Sequence, residues 1–264
     1  MTLSPEELKN LIQFAHKLAD VAGNEALPYF RKPHGLENKD QTAFDPVTIA
    51  DKNAEQAMRA LIGEHFPQDG ITGEELDPIK GTSGRDWILD PIDGTRSFIT
   101  GLPIWGTLIG LAIDDKPVLG MMSQAFTGER YLGVPGQAIL SHEGNETDLQ
   151  TSGQTDIKQA FLASTDPNLF KDTSERQAFE NVSAQTRLTR FGGDCYLYCQ
   201  LAAGQIDLVI EPGLNIYDIM PLIPIIENAG GIVTDWHGSP TTGGNVLAAS
   251  NAALHASALE LLSK

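Results

Sequence analysis

The segment Trp87-Ile-Leu-Asp90-Pro-Ile-Asp93-Gly-Thr95 constrains this chain more than any other stretch of it. Its apolar start reads as a strand. The strand drops two carboxylates, three residues apart, into a turn that Pro91 stiffens and where Gly94 permits close backbone approach. Two carboxylates fixed so near each other repel unless a cation lies between them. Ligands that are all oxygen favour Mg²⁺, Mn²⁺ or Ca²⁺ over zinc. The same residue types also build an ordinary Asp-rich β-turn, because Asp, Pro and Gly are all turn formers. The segment alone leaves both readings open.

Two other acidic spots bear on that choice. Gly73-Glu74-Glu75 follows a short apolar strand, Ile71-Thr72, and reads as solvated surface or as further ligands. Asp45-Pro-Val-Thr48-Ile-Ala-Asp51 leads into a helix, with Thr48 as N-cap; Asp51 is then a first-turn carboxylate facing the helix dipole, or a site residue. The formal net charge of −17 argues against nucleic acid as a partner, since no Lys/Arg stripe exists to displace counterions. That charge serves solubility, or gathers carboxylates around hard cations.

The 264 residues suffice for one large domain or two small ones, and 41% hydrophobic with 20% charged residues is globular composition. No run approaches the roughly 18 apolar residues that cross a bilayer. The N-terminus MTLSPEELKNLIQF carries Pro5, Glu6 and Glu7 where a secretory signal would be basic and then apolar, so a cytoplasmic protein is expected. Periodicity predicts a helix over 4–31, capped by Ser4 with Pro5 and Glu7 completing a capping box. A loop follows over 32–47 and a second helix over 48–65. Strands are predicted at 87–89, 107–113, 118–124 and 130–134. Beyond about residue 140 the pattern alternates: helix 174–185, strand 187–191, helix 195–203, strand 206–210, helix 217–229, strands 231–234 and 246–250, helix 252–263. An α+β half over 1–139 and an α/β half over 140–264 are expected to pack directly, with a cleft between them.

D-P-V-T-x-A-D, G-E-E, W-I-L-D-P-I-D-G-T, and Tyr217-Asp218 opening an apolar helix before Ala229-Gly230-Gly231, taken in that order between residues 45 and 231, resemble the inositol-monophosphatase superfamily. The resemblance implies a layered αβαβα sandwich and Mg²⁺-dependent hydrolysis of a small phosphate monoester, with two or three Mg²⁺ per site and Mn²⁺ as a substitute. It implies Glu74, Asp90 and the Ile92 carbonyl as ligands of a first metal, Asp90, Asp93 and Asp218 of a second, and Glu74 again of a weaker third. Gly94 and Thr95 match the groups that receive phosphate. Asp51 and Thr95, with Glu74, match the catalytic set around the attacking water. A homodimer and lithium sensitivity are further expectations of the resemblance. Tyr217 departs from the Trp usual before the metal-binding Asp.

Arg190-Phe-Gly192-Gly193-Asp194-Cys-Tyr and Glu211-Pro-Gly-Leu-Asn-Ile-Tyr-Asp218 are implied to face the same cleft and bind the leaving group. Residues 94–111, with Ser97 where inositol phosphatases favour Asn, resemble instead the histidinol-phosphate phosphatases, as do G-G-D-C-Y and A-A-G-Q-I-D-L-V-I-E. Asp194 and Glu211 suit a cationic leaving group; Asp194 also reads as the N-cap of the helix that follows it. Inositol-1-phosphate or another sugar-alcohol phosphate is the alternative substrate, and a non-catalytic divalent-cation-binding regulator the alternative class. Cys195 and Cys199 are expected as buried inert thiols. The six histidines show no metal-ligand spacing and are expected to be structural or at the surface.

Overall fold

A computed structural model of the chain describes residues 3–32, 36–38 and 46–264. Helix α1 (Pro5–Ala26) starts where the sequence caps it: Ser4 Oγ accepts the Glu7 N–H at 3.2 Å, and the Glu7 carboxylate accepts the Ser4 N–H at 2.8 Å. Helix α2 (Ile49–His65) closes the same box with Thr48 and Asp51. Between the two helices, where a loop is expected over 32–47, β1 (Leu36–Asn38) and β2 (Pro46–Thr48) pair as a short antiparallel ribbon. Asp45, quoted in the sequence motif, and His34, one of the six histidines, lie outside the described residues.

A seven-stranded sheet runs in spatial order through β3 (Gly70–Gly73), β4 (Arg85–Asp93), β5 (Gly106–Ile113), β6 (Lys116–Gln124), β7 (Glu129–Val134), β8 (Gln137–His142) and β9 (Asn145–Asp148). Only β3 and β4 pair in parallel. A five-stranded mixed sheet has the order β11 (Leu188–Phe191), β10 (Phe161–Ser164), β12 (Leu208–Leu214), β14 (Gly244–Ala249), β13 (Ile232–Asp235). The remaining helices are α3 (Thr95–Ile99), α4 (Thr173–Ser183), α5 (Cys195–Ala202), α6 (Ile216–Ile219), α7 (Ile223–Asn228) and α8 (Ala252–Leu262).

Alternation along the strands assigns the layers, because successive Cβ atoms point to opposite faces. Ile109, Leu111 and Met121 meet Leu11, Leu18, Met58 and Ile62 of α1 and α2. Their neighbours Leu108 and Met122 face the other way, onto α5 and the α6–α7 segment. Val209, Val246 and Ala248 of the second sheet close that middle layer from beyond. Leu208, Ile210, Leu247 and Ala249 point outward to α4 and α8. The stack is therefore α-β-α-β-α, as the resemblance implies. Gly120 and Gly133 let α7 and the turn before it lie directly on the first sheet: a Cβ at Gly120 would sit 1.9 Å from the Pro221 carbonyl oxygen, and one at Gly133 2.2 Å from the Ile225 nitrogen.

Three further expectations need correction. The helix expected over 217–229 is broken into α6, a 3₁₀ turn at 220–222 and α7, because Pro221 and Pro224 each remove an N–H donor and can only begin a new turn. Strands β8, β9 and β10 fall where the sequence pattern predicts none; β9 is exposed throughout and shows no apolar alternation. The division expected between 139 and 140 falls inside β8, and the first sheet runs on to Asp148.

Gly120→Ala should overpack the contact with Pro221 and lower unfolding stability by about 1–3 kcal/mol. Chemical denaturation checks this; unchanged stability would mean that the turn before α7 does not press on the sheet.

Candidate metal centre

In a regular strand Asp90 and Asp93 would point to opposite faces, since residues three apart alternate. A bulge brings them to one side. Asp90 pairs with Leu108 but Asp93 with Gly106, so β4 spends one residue more than β5 between the two pairs. The Pro91 carbonyl freed there accepts the Thr107 hydroxyl at 2.8 Å, and the Ile92 N–H donates to Asp90 Oδ1 at 3.1 Å. The Ile92 side chain turns the other way, into a cluster with Phe30, Phe98 and Trp105.

Asp218 arrives from the middle layer. It lies in the short α6, where its carboxylate accepts the Asn215 N–H at 2.6 Å. Asp90, Asp93 and Asp218 each place an oxygen within 4.8 Å of the others, and no histidine or cysteine joins them among the described residues. Glu74, at the end of β3, lies outside this tight trio. Burial pushes the Asp90 and Asp93 carboxyls well up from the ordinary range, helped for Asp90 by the charge of Glu74 and for Asp93 by that of Asp194. Burial likewise raises Asp218 to about 7, although the Asn215 N–H opposes the shift.

Asp51 fills the helix-start role open to it in the sequence. Its Oδ2 accepts the Thr48 N–H at 2.8 Å and the Thr48 hydroxyl at 2.5 Å, as a helix-start carboxylate does. Its Oδ1 is buried without a hydrogen-bond partner among the described residues, and burial lifts the group to about 6. A buried carboxylate oxygen left unpaired beside three crowded carboxylates, with a backbone carbonyl at Ile92, is a donor set suited to a hard divalent cation. In this structure the Ile92 carbonyl accepts the Thr95 hydroxyl at 3.2 Å.

Two hydrogen bonds tie β4 and α3 to the start of α5 across the site. Asp93 Oδ2 accepts the Cys195 N–H at 2.6 Å, and Asp194 Oδ2 accepts the Ser97 hydroxyl at 2.8 Å. Asp194 is thus no side-chain cap for α5; its backbone, at φ 46°, turns the carboxylate away from the helix, and Asp93 meets the first N–H instead. Gly192 and Gly193 precede it with positive φ and shape this turn. Gly94, at φ 82°, lies so close that a Cβ there would meet Asp194 Oδ2 at 2.8 Å. A cavity of about 160 Å³ is walled by Asp93, Asp194, Glu211 and Asp218, among others. Cavities of about 560 and 750 Å³ lie elsewhere, but no member of the carboxylate trio lines either, whereas Asp93 and Asp218 line this one, so chemistry rather than size locates the site.

Glu211 is buried and already partnered: Oε1 accepts the Thr165 N–H at 2.6 Å and Oε2 the Tyr198 hydroxyl at 2.8 Å. Thr165 and Tyr198 are cavity residues that the sequence reading missed. Thr165 follows the unread strand β10, and Tyr198 sits in an apolar helix without a polar signal. Cys195 and Cys199 are free and buried, as expected.

Residues 7–264 match the model of the inositol monophosphatase family. The chain is 40% identical to the bifunctional phosphatase IMPL2, chloroplastic, of Arabidopsis thaliana, an alignment covering 98% of this chain and 77% of the relative. It is 34% identical to a histidinol-phosphatase of Chlorobaculum parvum, over 91% of this chain and 92% of that one. Among solved structures, an inositol monophosphatase from Zymomonas mobilis is similar with a TM-score of 0.84 and 39% identity, covering 97% of this chain and 98% of that one.

A carboxyl whose pKa is raised by folding stabilises the fold below its unfolded pKa and ceases to do so as pH rises through its folded value. Asp51, at about 6, and Asp218, at about 7, should therefore make chelator-treated protein melt lower at pH 8 than at pH 6. Added Mg²⁺ should remove most of that difference. Thermal melts at the two pH values check it, and a cation-insensitive difference would contradict a cation site at the trio.

Proposed function

Because the chain belongs to the inositol monophosphatase family, we propose that it is a Mg²⁺-dependent phosphomonoesterase acting on histidinol phosphate. The observation that carries the reading is the convergence of Asp90, Asp93 and Asp218 beside a cavity that also holds Asp194 and Glu211. Glu74, Asp90, Asp93, Asp218 and the Ile92 carbonyl would hold the cations, two or three in number, with Mn²⁺ able to replace Mg²⁺. Bound there, Mg²⁺ would supply Lewis acidity, lowering the pKa of water and neutralising charge on phosphate and leaving oxygen.

The protein's own groups complete the chemistry. Asp51 presents its unpaired Oδ1 as acceptor for a proton of the attacking water, and the Thr95 hydroxyl can turn from the Ile92 carbonyl to relay it. Gly94 and Thr95 offer backbone and hydroxyl donors to phosphate. Asp194 and Glu211 form the acidic wall for the alcohol. Glu211 keeps spare lone pairs after binding Thr165 and Tyr198, since a carboxylate accepts about four hydrogen bonds. An ammonium or imidazolium matches this wall better than an uncharged ring. The name of the Chlorobaculum parvum relative supports the same choice. The Zymomonas mobilis likeness supports inositol phosphate as a second reading. The presence of Asp51 and Thr95 beside the trio argues for an enzyme over a cation-binding regulator, which has no use for a water-activating pair. A cytoplasmic homodimer belongs to the same proposal.

Phosphate release from histidinol phosphate and inositol-1-phosphate, assayed side by side with Mg²⁺, tests the substrate, with histidinol phosphate expected to win. Asp194→Asn should lower kcat/KM on histidinol phosphate by about 10- to 150-fold, the loss of one charge-assisted bond. On p-nitrophenyl phosphate, which offers no cation, the loss should be much smaller. Equal losses on both would make Asp194 a support of the site and not a binder of the alcohol.

A further inference from the structure

Helix α2 carries Asp51, Glu55 and Arg59 at four-residue spacing, so the three lie on one face, about one turn apart. Asp51 belongs to the site. The other two grip the loop that carries Glu74. Glu55 is fully buried; its Oε2 accepts the Glu75 N–H at 2.8 Å and its Oε1 accepts Arg59 Nε at 2.7 Å. The Arg59 guanidinium donates onward, from Nη1 to the Asp77 carbonyl and from Nη2 to the Leu76 carbonyl, each at 2.9 Å. Residues 75, 76 and 77 are thus each bonded through the backbone to a side chain of α2. On the other side of Glu74 the approach is as close: a Cβ at Gly73 would lie 2.2 Å from Glu55 Oε1. The Glu74 N–H itself donates to the Leu89 carbonyl at 3.2 Å, next to Asp90.

We propose that Glu55 and Arg59 are positioning residues for the cation site, fixing Glu74 against Asp51 and Asp90 through the backbone of residues 75–77. The inference rests on the reading of Glu74 as a cation ligand. Its physical basis is repulsion. A loop bearing two adjacent glutamates would relax away from Asp90 when no cation is bound. A cation would then have to gather it at the expense of affinity. The rigid fork of Arg59 holds two carbonyls at fixed spacing, and the buried Glu55 holds Arg59 and the loop together. One helix thereby sets the distance between the residue proposed to handle the water and the residue proposed to hold the cation.

Two conservative variants and a control test this on the full chain. Glu55→Gln keeps size and an acceptor but drops the ion pair. Arg59→Lys keeps the charge but cannot reach both carbonyls. Calorimetric titration of Mg²⁺ into metal-free protein reads affinity, phosphate release at saturating Mg²⁺ reads turnover, and melting in chelator reads the scaffold. Both variants should bind Mg²⁺ at least about 10-fold more weakly, the usual cost of losing a group that orients a ligand, with saturated turnover within about threefold of wild type. Gly73→Ala, which sets a Cβ against the Glu55 carboxylate and leaves the sequence of α2 unaltered, should give the same shift if Glu55→Gln does not fold. The control is Asp69→Asn at the opposite end of β3, where Asp69 accepts from Ser83, Arg85 and Trp87. It should melt lower with unchanged Mg²⁺ affinity. Unchanged affinity in folded Arg59→Lys and Glu55→Gln, or an equal loss in Asp69→Asn, would overturn the positioning role. Wild-type protein that binds no Mg²⁺ would overturn the cation reading beneath it as well, and the wild-type titration tells the two failures apart.

Discussion

Mutual repulsion among Asp90, Asp93 and Asp218 is the constraint around which the rest of this molecule is arranged. Three carboxylates within 4.8 Å of one another, with Asp90 buried, oppose folding unless protonated or bridged by a cation. The fold holds them by giving each a backbone donor: Ile92 N–H to Asp90, Cys195 N–H to Asp93, Asn215 N–H to Asp218. These bonds favour the ionised forms but do not outweigh burial, so all three groups remain raised. A divalent cation at the proposed site would relieve this crowding.

The layered architecture explains why this crowding can persist. Asp90 and Asp93 are fixed by a bulge in a nine-residue strand whose interior is buried. Asp218 is fixed by a short helix wedged between the two sheets, where Gly120 and Gly133 let the backbone of the following segment lie on the first sheet. Moving any one carboxylate would mean unpacking a layer, at a cost far above what a surface loop would meet. The cavity beside the trio lies where the sheets' connecting segments meet, which is why its walls come from residues as far apart as Asp93 and Glu211.

Much of this was legible in the sequence, and the gaps have physical causes. The capping box at Ser4 and the N-cap at Thr48 are local and announced both long helices. The D-P-I-D-G-T segment announced a carboxylate pair, but not the bulge that turns the pair to one side, because register depends on the partner strand. Pro221 and Pro224 were visible, yet the apolar run around them read as one helix; the break follows from their missing N–H groups. Asp194 looked like a cap because Asp caps helices. What displaces it is a positive φ and a hydroxyl from Ser97, remote in sequence. The grip of Glu55 and Arg59 on residues 75–77 was equally hidden, since a Glu and an Arg four apart on a helix ordinarily signal only a surface pair.

The central claim is that the trio binds a divalent cation in place of protons. Calorimetric titration of metal-free protein with Mg²⁺ at pH 6.5, repeated in two buffers of different ionisation enthalpy, measures the protons released on binding. Burial holds Asp218 near 7 and Asp90 and Asp93 well above the ordinary range, so binding should release about one proton or more per protein. Asp218→Asn should sharply reduce both the affinity and the release. Saturable binding with no proton release, or binding and release unaltered by Asp218→Asn, would contradict the account.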